Sequence, residues 1–317
     1  MRVLVSTRLY PAGFSKLMDR FEVVFPENEM FSKEEVMNVI SGFDAFVSTF
    51  QFKVDRDIID AANGNVKIIA NYGVGYNNVD VEYASRCGIV VTNTPDPVIE
   101  PTAEHAFALM LAAARRIAEC DRKMRIPGGL KWGLMENLGQ SLYGKKLGII
   151  GMGRVGQALA RRALACGMKI YYYNRTRLAP VLEIQYQARR LELNELLRIS
   201  DVISIHTPLT EETYHLINHN RLHQMKPTAI LINTARGPVV NEAELVAALQ
   251  EGVIASAGLD VYECEPNLTP GLLELDNVVL APHNGTATVD ARIEMCRFVS
   301  QNIIRYFAGV TDLTRVN

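Results

Sequence analysis

Short runs of apolar, β-branched residues alternate with stretches of helical apolar spacing along the whole chain. RVLVST (2–7), EVVF (22–25), DAFVST (44–49), VKIIA (66–70) and GIVVTN (88–93) read as one set of strands. KKLGII (145–150), MKIYYY (168–173), DVISIH (201–206), TAILIN (228–233), VIASAGLDV (253–261) and NVVLAP (277–282) read as a second set. These runs lack strict alternation, as strands buried on both faces do, and βα order implies parallel sheets. TAEHAFALMLAAARRIAEC predicts one long helix over 102–120, with Pro101 at its start. TVDARIEMCRFVSQNIIRYFAG predicts another amphipathic helix over 288–309.

Length and composition narrow the class. At 317 residues and 48% apolar content the chain can build two cores. The 33 Lys and Arg nearly balance the 35 Asp and Glu, so no whole-chain field favours nucleic acid or an anionic membrane. No apolar run approaches spanning length, and MRVLVSTRLYP suits a first strand better than a signal peptide. Five scattered cysteines without CxxC spacing suggest reduced thiols and a cytoplasmic protein.

A glycine fingerprint, IGMGRVG (150–156), lies near the middle of the chain, after a strand and before the helical run RVGQALARRALACG. Gly151 permits the tight turn, Gly153 leaves room for a pyrophosphate, and Gly156 lets helix and strand approach. The amides of Arg154 and Val155 then face phosphate from the helix N-terminus. Because the fingerprint is central, the first hundred residues must form a separate βα unit, with the proline cluster at 95–101 as a hinge. Two lobes and a cleft between them are expected, the usual place for a small-molecule site.

About twenty residues after the fingerprint, an NAD-binding unit carries Asp or Glu for the ribose 2′-hydroxyl. This chain has KIYYYNRTR (169–177), with Asn174, Arg175 and Arg177 in that place. Asn174 removes the repulsion of a 2′-phosphate, and the arginines can bond one. NADP(H) is therefore favoured, with NAD possible.

Three segments put reactive side chains at predicted strand ends, where open parallel sheets bind ligands: Arg236 after TAILIN, Asp260 and Glu265 after VIASAGL, and His283 after NVVLAP. Arg grips a carboxylate as a bidentate fork, His exchanges a proton with a hydroxyl or carbonyl oxygen, and a carboxylate beside His favours its charged form. Together they suit hydride transfer at the α-carbon of a 2-hydroxy or 2-oxo acid.

In order and spacing, NYGVGYNNVD (71–80), PTAEHA (101–106), IGMGRVG, HTPLTEETYHLIN (206–218), INTARGPVVNEAEL (232–245), GLDVYECEP (258–266) and APHNGTAT (281–288) resemble the D-isomer-specific 2-hydroxyacid dehydrogenase family over essentially the whole chain. The resemblance implies an α/β fold of two Rossmann-like lobes, each a parallel sheet flanked by helices, with the cofactor domain inserted in the substrate domain. Residues 1–98 and 287–317 would form the flavodoxin-like substrate domain and 99–286 the dinucleotide-binding domain, the C-terminal helix crossing back to the first lobe. It implies that His283 is the acid/base, Glu265 its partner and Arg236 the substrate-orienting residue. Asp260, Gly285 and the backbone at Thr234 and Ala235 would meet the nicotinamide end, and Thr207 and Pro208 the adenosine end. Tyr72, Gly73, Val74 and Gly75 would offer backbone amides to the substrate carboxylate. The 102–137 helix and arm, with the only tryptophan, Trp132, would build a homodimer.

YYYNRTR resembles the glyoxylate/hydroxypyruvate reductase branch, where the acid is often absent. Asn77 and Asn284 depart from the family pattern, and Asn284 can reshape the pocket beside His283. A glycerate or phosphoglycerate type of dehydrogenase and a non-enzymatic NAD(P)H-sensing scaffold are the alternatives. A formate dehydrogenase type would pair Gln, not Glu265, with the His. No metal is expected: His215, His219 and His223 have helical spacing, but Asn218 reads as an N-cap that leaves His215 outside the helix. His206 is assigned to the cofactor wall and His105 to packing or an interface.

Overall fold

The computed structural model describes residues 1–317 and divides the chain into two units, Met1–Pro101 with Thr286–Asn317, and Thr102–Gly285. The first holds β1 (Arg2–Val5), β2 (Glu22–Val24), β3 (Ala45–Thr49), β4 (Ile68–Tyr72) and β5 (Val90–Thr92). They form a parallel sheet of order β2-β1-β3-β4-β5, the flavodoxin-like doubly wound order. Both faces are covered, which is why β3 and β4 are buried at every position. One face packs Leu4, Phe46 and Ile69 with Val36, Ile40 and Ile58. The other packs Val3, Val5, Val47 and Ile68 against Met295, Cys296, Val299 and Ile303 of the C-terminal helix, Val289–Phe307. Thr288 caps that helix by accepting the Ala291 amide.

The second unit holds β6 (Lys146–Ile150), β7 (Lys169–Tyr173), β8 (Arg189–Arg190), β9 (Val202–Ile205), β10 (Ile230–Asn233), β11 (Ser256–Leu259) and β12 (Val278–Leu280). All pair in parallel, in the order β12-β11-β10-β9-β6-β7-β8. Renumbered within the unit this is 7-6-5-4-1-2-3, a Rossmann sheet whose topological switch lies between β6 and β9. Ile150, Ile203, Ile205 and Leu231 are all but inaccessible at its centre, each worth about 1.5–3 kcal/mol of burial.

The fold class expected from the sequence is borne out, with one local correction. The helix expected over 102–120 is two helices, Ile99–Ala114 and Ile117–Met124. Arg116 takes φ 54°, a left-handed conformation no propensity signals at an arginine, and its guanidinium is held by Glu119 at 2.7 Å. No helix is long and apolar enough to cross a membrane.

Candidate active site

The glycine loop joins β6 to the helix Arg154–Ala165, and each glycine is needed for a different reason. Gly151 has φ 95°, and a Cβ there would stand 2.7 Å from the His206 carbonyl. A Cβ on Gly156 would stand 2.5 Å from the Gly151 oxygen, so helix and loop touch backbone to backbone. Gly153 is different: nothing lies within 4 Å of a Cβ built on it, so its space is open. It is also the helix N-cap, and as glycine it brings no side chain to cap the helix. An open cradle at an uncapped helix N-terminus is the chemistry a pyrophosphate needs, so these residues fit a dinucleotide. Thr207 and Pro208 follow β9 directly, beside the Gly151 turn.

At the end of β7, Asn174 accepts the Met152 amide at 2.6 Å and so ties the glycine loop to the next strand. Arg175 is exposed. Arg177 is not available as expected: Glu183 takes its guanidinium in a fork at 3.0 and 2.8 Å.

The ends of β10, β11 and β12 are neighbours, so the residues that leave them converge. After β10, Asn233 holds the Thr234–Arg236 turn by accepting the Ala235 amide at 3.0 Å and donating to the Arg236 carbonyl at 2.9 Å. After β11 comes Asp260, 2% exposed, whose carboxylate accepts the amides of Asn284 (2.8 Å) and Gly285 (2.9 Å). Asp260 thereby fixes the loop after β12, where His283 stands at φ 52°. A left-handed histidine costs backbone energy, and such strain collects at functional sites. His283 Nδ1 lies 2.7 Å from Glu265 Oε2, and the other Glu265 oxygen accepts the Tyr262 amide at 3.0 Å.

Burial pushes the Glu265 carboxyl up, but the His283 bond, the Tyr262 amide and the nearby Arg236 charge outweigh it and hold it below the usual carboxylate range. Burial lowers the Arg236 guanidinium while Glu265 opposes the shift. Arginine starts so high that it stays charged, so the cluster presents a cation beside an ionised Glu265 carboxylate that is bonded to His283. His206 is poorly suited as a rival acid: burial takes its imidazole down to about 4, and Ser204 bonds its Nε2 at 2.8 Å.

Residues 107–285 match the D-isomer specific 2-hydroxyacid dehydrogenase, NAD binding domain. The chain is also 45% identical to a glyoxylate reductase of Thermococcus onnurineus, covering 100% of this chain and 96% of that protein. The chain belongs to the D-isomer specific 2-hydroxyacid dehydrogenase family. Two solved structures agree. A Thermus thermophilus protein superposes with a TM-score of 0.92 at 40% identity, covering 100% of both chains. The NADPH-dependent glyoxylate/hydroxypyruvate reductase of Sinorhizobium meliloti, in complex with NADP and malonate, gives 0.87 at 34%, covering 99% of this chain and 96% of that one. As a D-2-hydroxyacid dehydrogenase this protein is an oxidoreductase that uses a nicotinamide cofactor to interconvert a 2-hydroxy and a 2-oxo acid.

In the dehydrogenase's other unit, the loop after β4 departs from expectation in detail. The Gly73 amide is bonded to the Asn71 carbonyl at 3.0 Å, leaving Val74 and Gly75 as the amides without a backbone acceptor. Asn71 braces the loop by donating to the carbonyls of Gly75 (2.8 Å) and Gly73 (3.3 Å). The Tyr72 ring is buried, with its hydroxyl on the Arg292 carbonyl at 2.9 Å, so it belongs to packing.

Two contributors escape a reading of the sequence. His105, expected in packing or an interface, places its Nε2 3.2 Å from Asp260 Oδ1, without a well-angled hydrogen bond. Its place one turn after Pro101, early in the helix, was the available signal. The other is the pairing of His215 with Glu263. His219 and His223 stack at 4.0 Å, but no group of three His, Cys, Asp or Glu side chains is placed to hold a metal.

Proposed function

We propose that this dehydrogenase reduces a small 2-oxo acid of the glyoxylate or hydroxypyruvate kind with NADPH. The observation that carries this reading is the cluster of Arg236 with the Glu265–His283 pair at adjacent strand ends, close to Asp260. The full-length likeness to a glyoxylate reductase supports the substrate class. When bound, the reduced nicotinamide supplies the hydride. Arg236 grips the carboxylate of the oxo acid in a fork, which aligns its carbonyl. His283, oriented by Glu265 through Nδ1, donates a proton from Nε2 to the carbonyl oxygen as it gains negative charge. The amides of Val74 and Gly75 are of the type that binds a carboxylate.

The preference for NADPH rests on one arginine rather than two, since Arg177 is engaged by Glu183. Asn174 carries no negative charge, and Arg175 is exposed beyond it. The deciding assay follows loss of reduced-cofactor absorbance for a panel of 2-oxo acids with NADPH and with NADH. Glyoxylate or hydroxypyruvate with NADPH is expected to lead; faster turnover with NADH would overturn the cofactor assignment.

The arm after Met124 supports a two-fold dimer. Trp132 is 83% exposed, Leu134 97% and Met135 80%, an apolar display that a partner surface would cover. Sedimentation of Trp132→Asp is expected to show monomers where the parent chain shows dimers.

A further inference from the structure

The proposed chemistry uses one His–Glu pair, but the loop after β11 carries two. Glu263 and Glu265 are two residues apart, and each meets a histidine in left-handed backbone: His215 at φ 47° and His283 at φ 52°. We propose that Glu263 is a positioning residue, whose carboxylate locks the loop bearing Glu265 to the turn bearing Arg236 and so sets the spacing of the reacting groups. This rests on the roles given above to Arg236, Glu265 and His283.

Two segments converge on the Glu263 side chain. His215 Nε2 lies 2.5 Å from its Oε1, and the Glu242 amide donates to its Oε2 at 3.0 Å. Glu242 is the first residue of the helix Glu242–Gln250, where a negative charge is favoured. The clamp is reciprocal: the Glu263 amide donates to Glu242 Oε1 at 2.7 Å, and Thr269 Oγ1 donates to Glu242 Oε2 at 2.5 Å. His215 is itself stitched to the same turn, its amide donating to the Pro238 carbonyl at 2.8 Å and that of Ile217 to Val239 at 3.0 Å.

Backbone packing explains why this matters for Arg236. A Cβ on Gly237, the residue after Arg236, would collide with the Tyr262 carbonyl and the Glu263 amide. The turn and the loop therefore meet with no side chain between them. Whatever holds Glu263 against Glu242 also holds Arg236 relative to Glu265. Burying Glu242 beside other acids is costly: burial, and the Glu263 and Glu265 charges, push its carboxyl up against the Thr269 bond and the Glu263 amide. Every one of these oxygens is nevertheless bonded, as expected of a network kept for its geometry. The groups facing Glu263 are His215 and Glu242; those facing Glu265 are His283 and Arg236.

The test compares the parent enzyme with Glu263→Ala, Glu263→Gln, His215→Ala and the Glu263→Ala/His215→Ala double variant. Turnover of glyoxylate with NADPH is measured across pH, together with NADPH affinity, melting temperature and binding of the unreactive analogue oxamate to the NADPH complex. Glu263→Ala is expected to lower kcat about tenfold, because misplaced groups lose near-attack geometry. It should weaken oxamate about tenfold and displace the pH profile to lower pH, with NADPH affinity within about twofold. Glu263→Gln should recover most of the loss, since its amide oxygen still accepts the Glu242 amide. The double variant should lose no more than either single one. Variants that lose only melting temperature, with kcat, oxamate binding and pH profile unchanged, would overturn the proposal. His215→Ala keeps the test decisive should Glu263→Ala not fold. Parent enzyme that binds NADPH and oxamate yet reduces no oxo acid would count against the substrate reading, and the oxamate comparison would still decide this one.

Discussion

The two His–Glu pairs draw their carboxylates from one loop and each uses a left-handed histidine, yet their surroundings differ. Glu263 turns its second oxygen to the amide of a helix-forming residue, Glu242, and so its pair is tied into the fold at both ends. Glu265 turns its second oxygen to Tyr262 in its own loop, and Arg236 stands near it as an extra cation. On the proposed reading, the same two kinds of side chain serve as a rivet in one place and a proton-handling unit in the other. What separates them is where the carboxylate's second oxygen goes, to the start of another helix or to its own loop beside a charged fork.

The hardest blow to that contrast is a direct exchange of losses. His283→Ala is expected to lower kcat about 10²–10⁴-fold, the range for removal of a general acid, whereas His215→Ala lowers it about tenfold. Equal losses would erase the distinction, and near-normal turnover in His283→Ala would end its proton role. Next in size is Arg236→Lys, which keeps the charge but loses the fork. KM for the oxo acid is expected to rise about tenfold or more, with KM for NADPH little changed in the same steady-state assay.

Smaller effects concern charge alone. Glu265→Gln removes the ionised partner of His283, so the pH profile of reduction should shift to lower pH. An unmoved profile would mean the pair is not coupled. The smallest effect is on stability, and its sign differs between neighbours. The Glu265 carboxyl is held low in the folded chain, so its contribution is present above the unfolded pKa and fades as pH falls through the folded one. The Glu242 carboxyl is held high, so the fold binds that proton more tightly and stability falls as pH rises between the unfolded and folded values. Melting curves of Glu265→Gln and Glu242→Gln against pH should therefore bend in opposite directions relative to the parent.

Much of the architecture was written in local pattern. Two-faced burial makes strands such as β3, β4 and β9 read as continuous apolar runs, and βα alternation left little choice but parallel sheets. The glycine loop was legible because each glycine answers a steric demand that no other residue meets. What stayed hidden depends on which partner a polar side chain takes. Arg177 reads as a phosphate ligand until Glu183 is seen to hold it. Arg116 breaks a helix that its neighbours would continue, because Glu119 rewards the turn. His105 and Asp260, like His215 and Glu263, lie far apart in the chain, and nothing local links them. Geometry could be read where backbone sterics alone decide it, and not where one polar side chain chooses among several partners.

The C-terminal helix carries a consequence for how the molecule is made. Met295, Cys296, Val299 and Ile303 complete one face of the five-stranded sheet, and Ser300 Oγ bonds the Gly13 carbonyl across 287 positions. During synthesis, Val3, Val5 and Val47 emerge long before the residues that cover them. The seven-stranded sheet, whose strands follow one another in an uninterrupted stretch, can close while the earlier sheet still waits with an oily face bare. Closure of that face must await the arrival of one late helix.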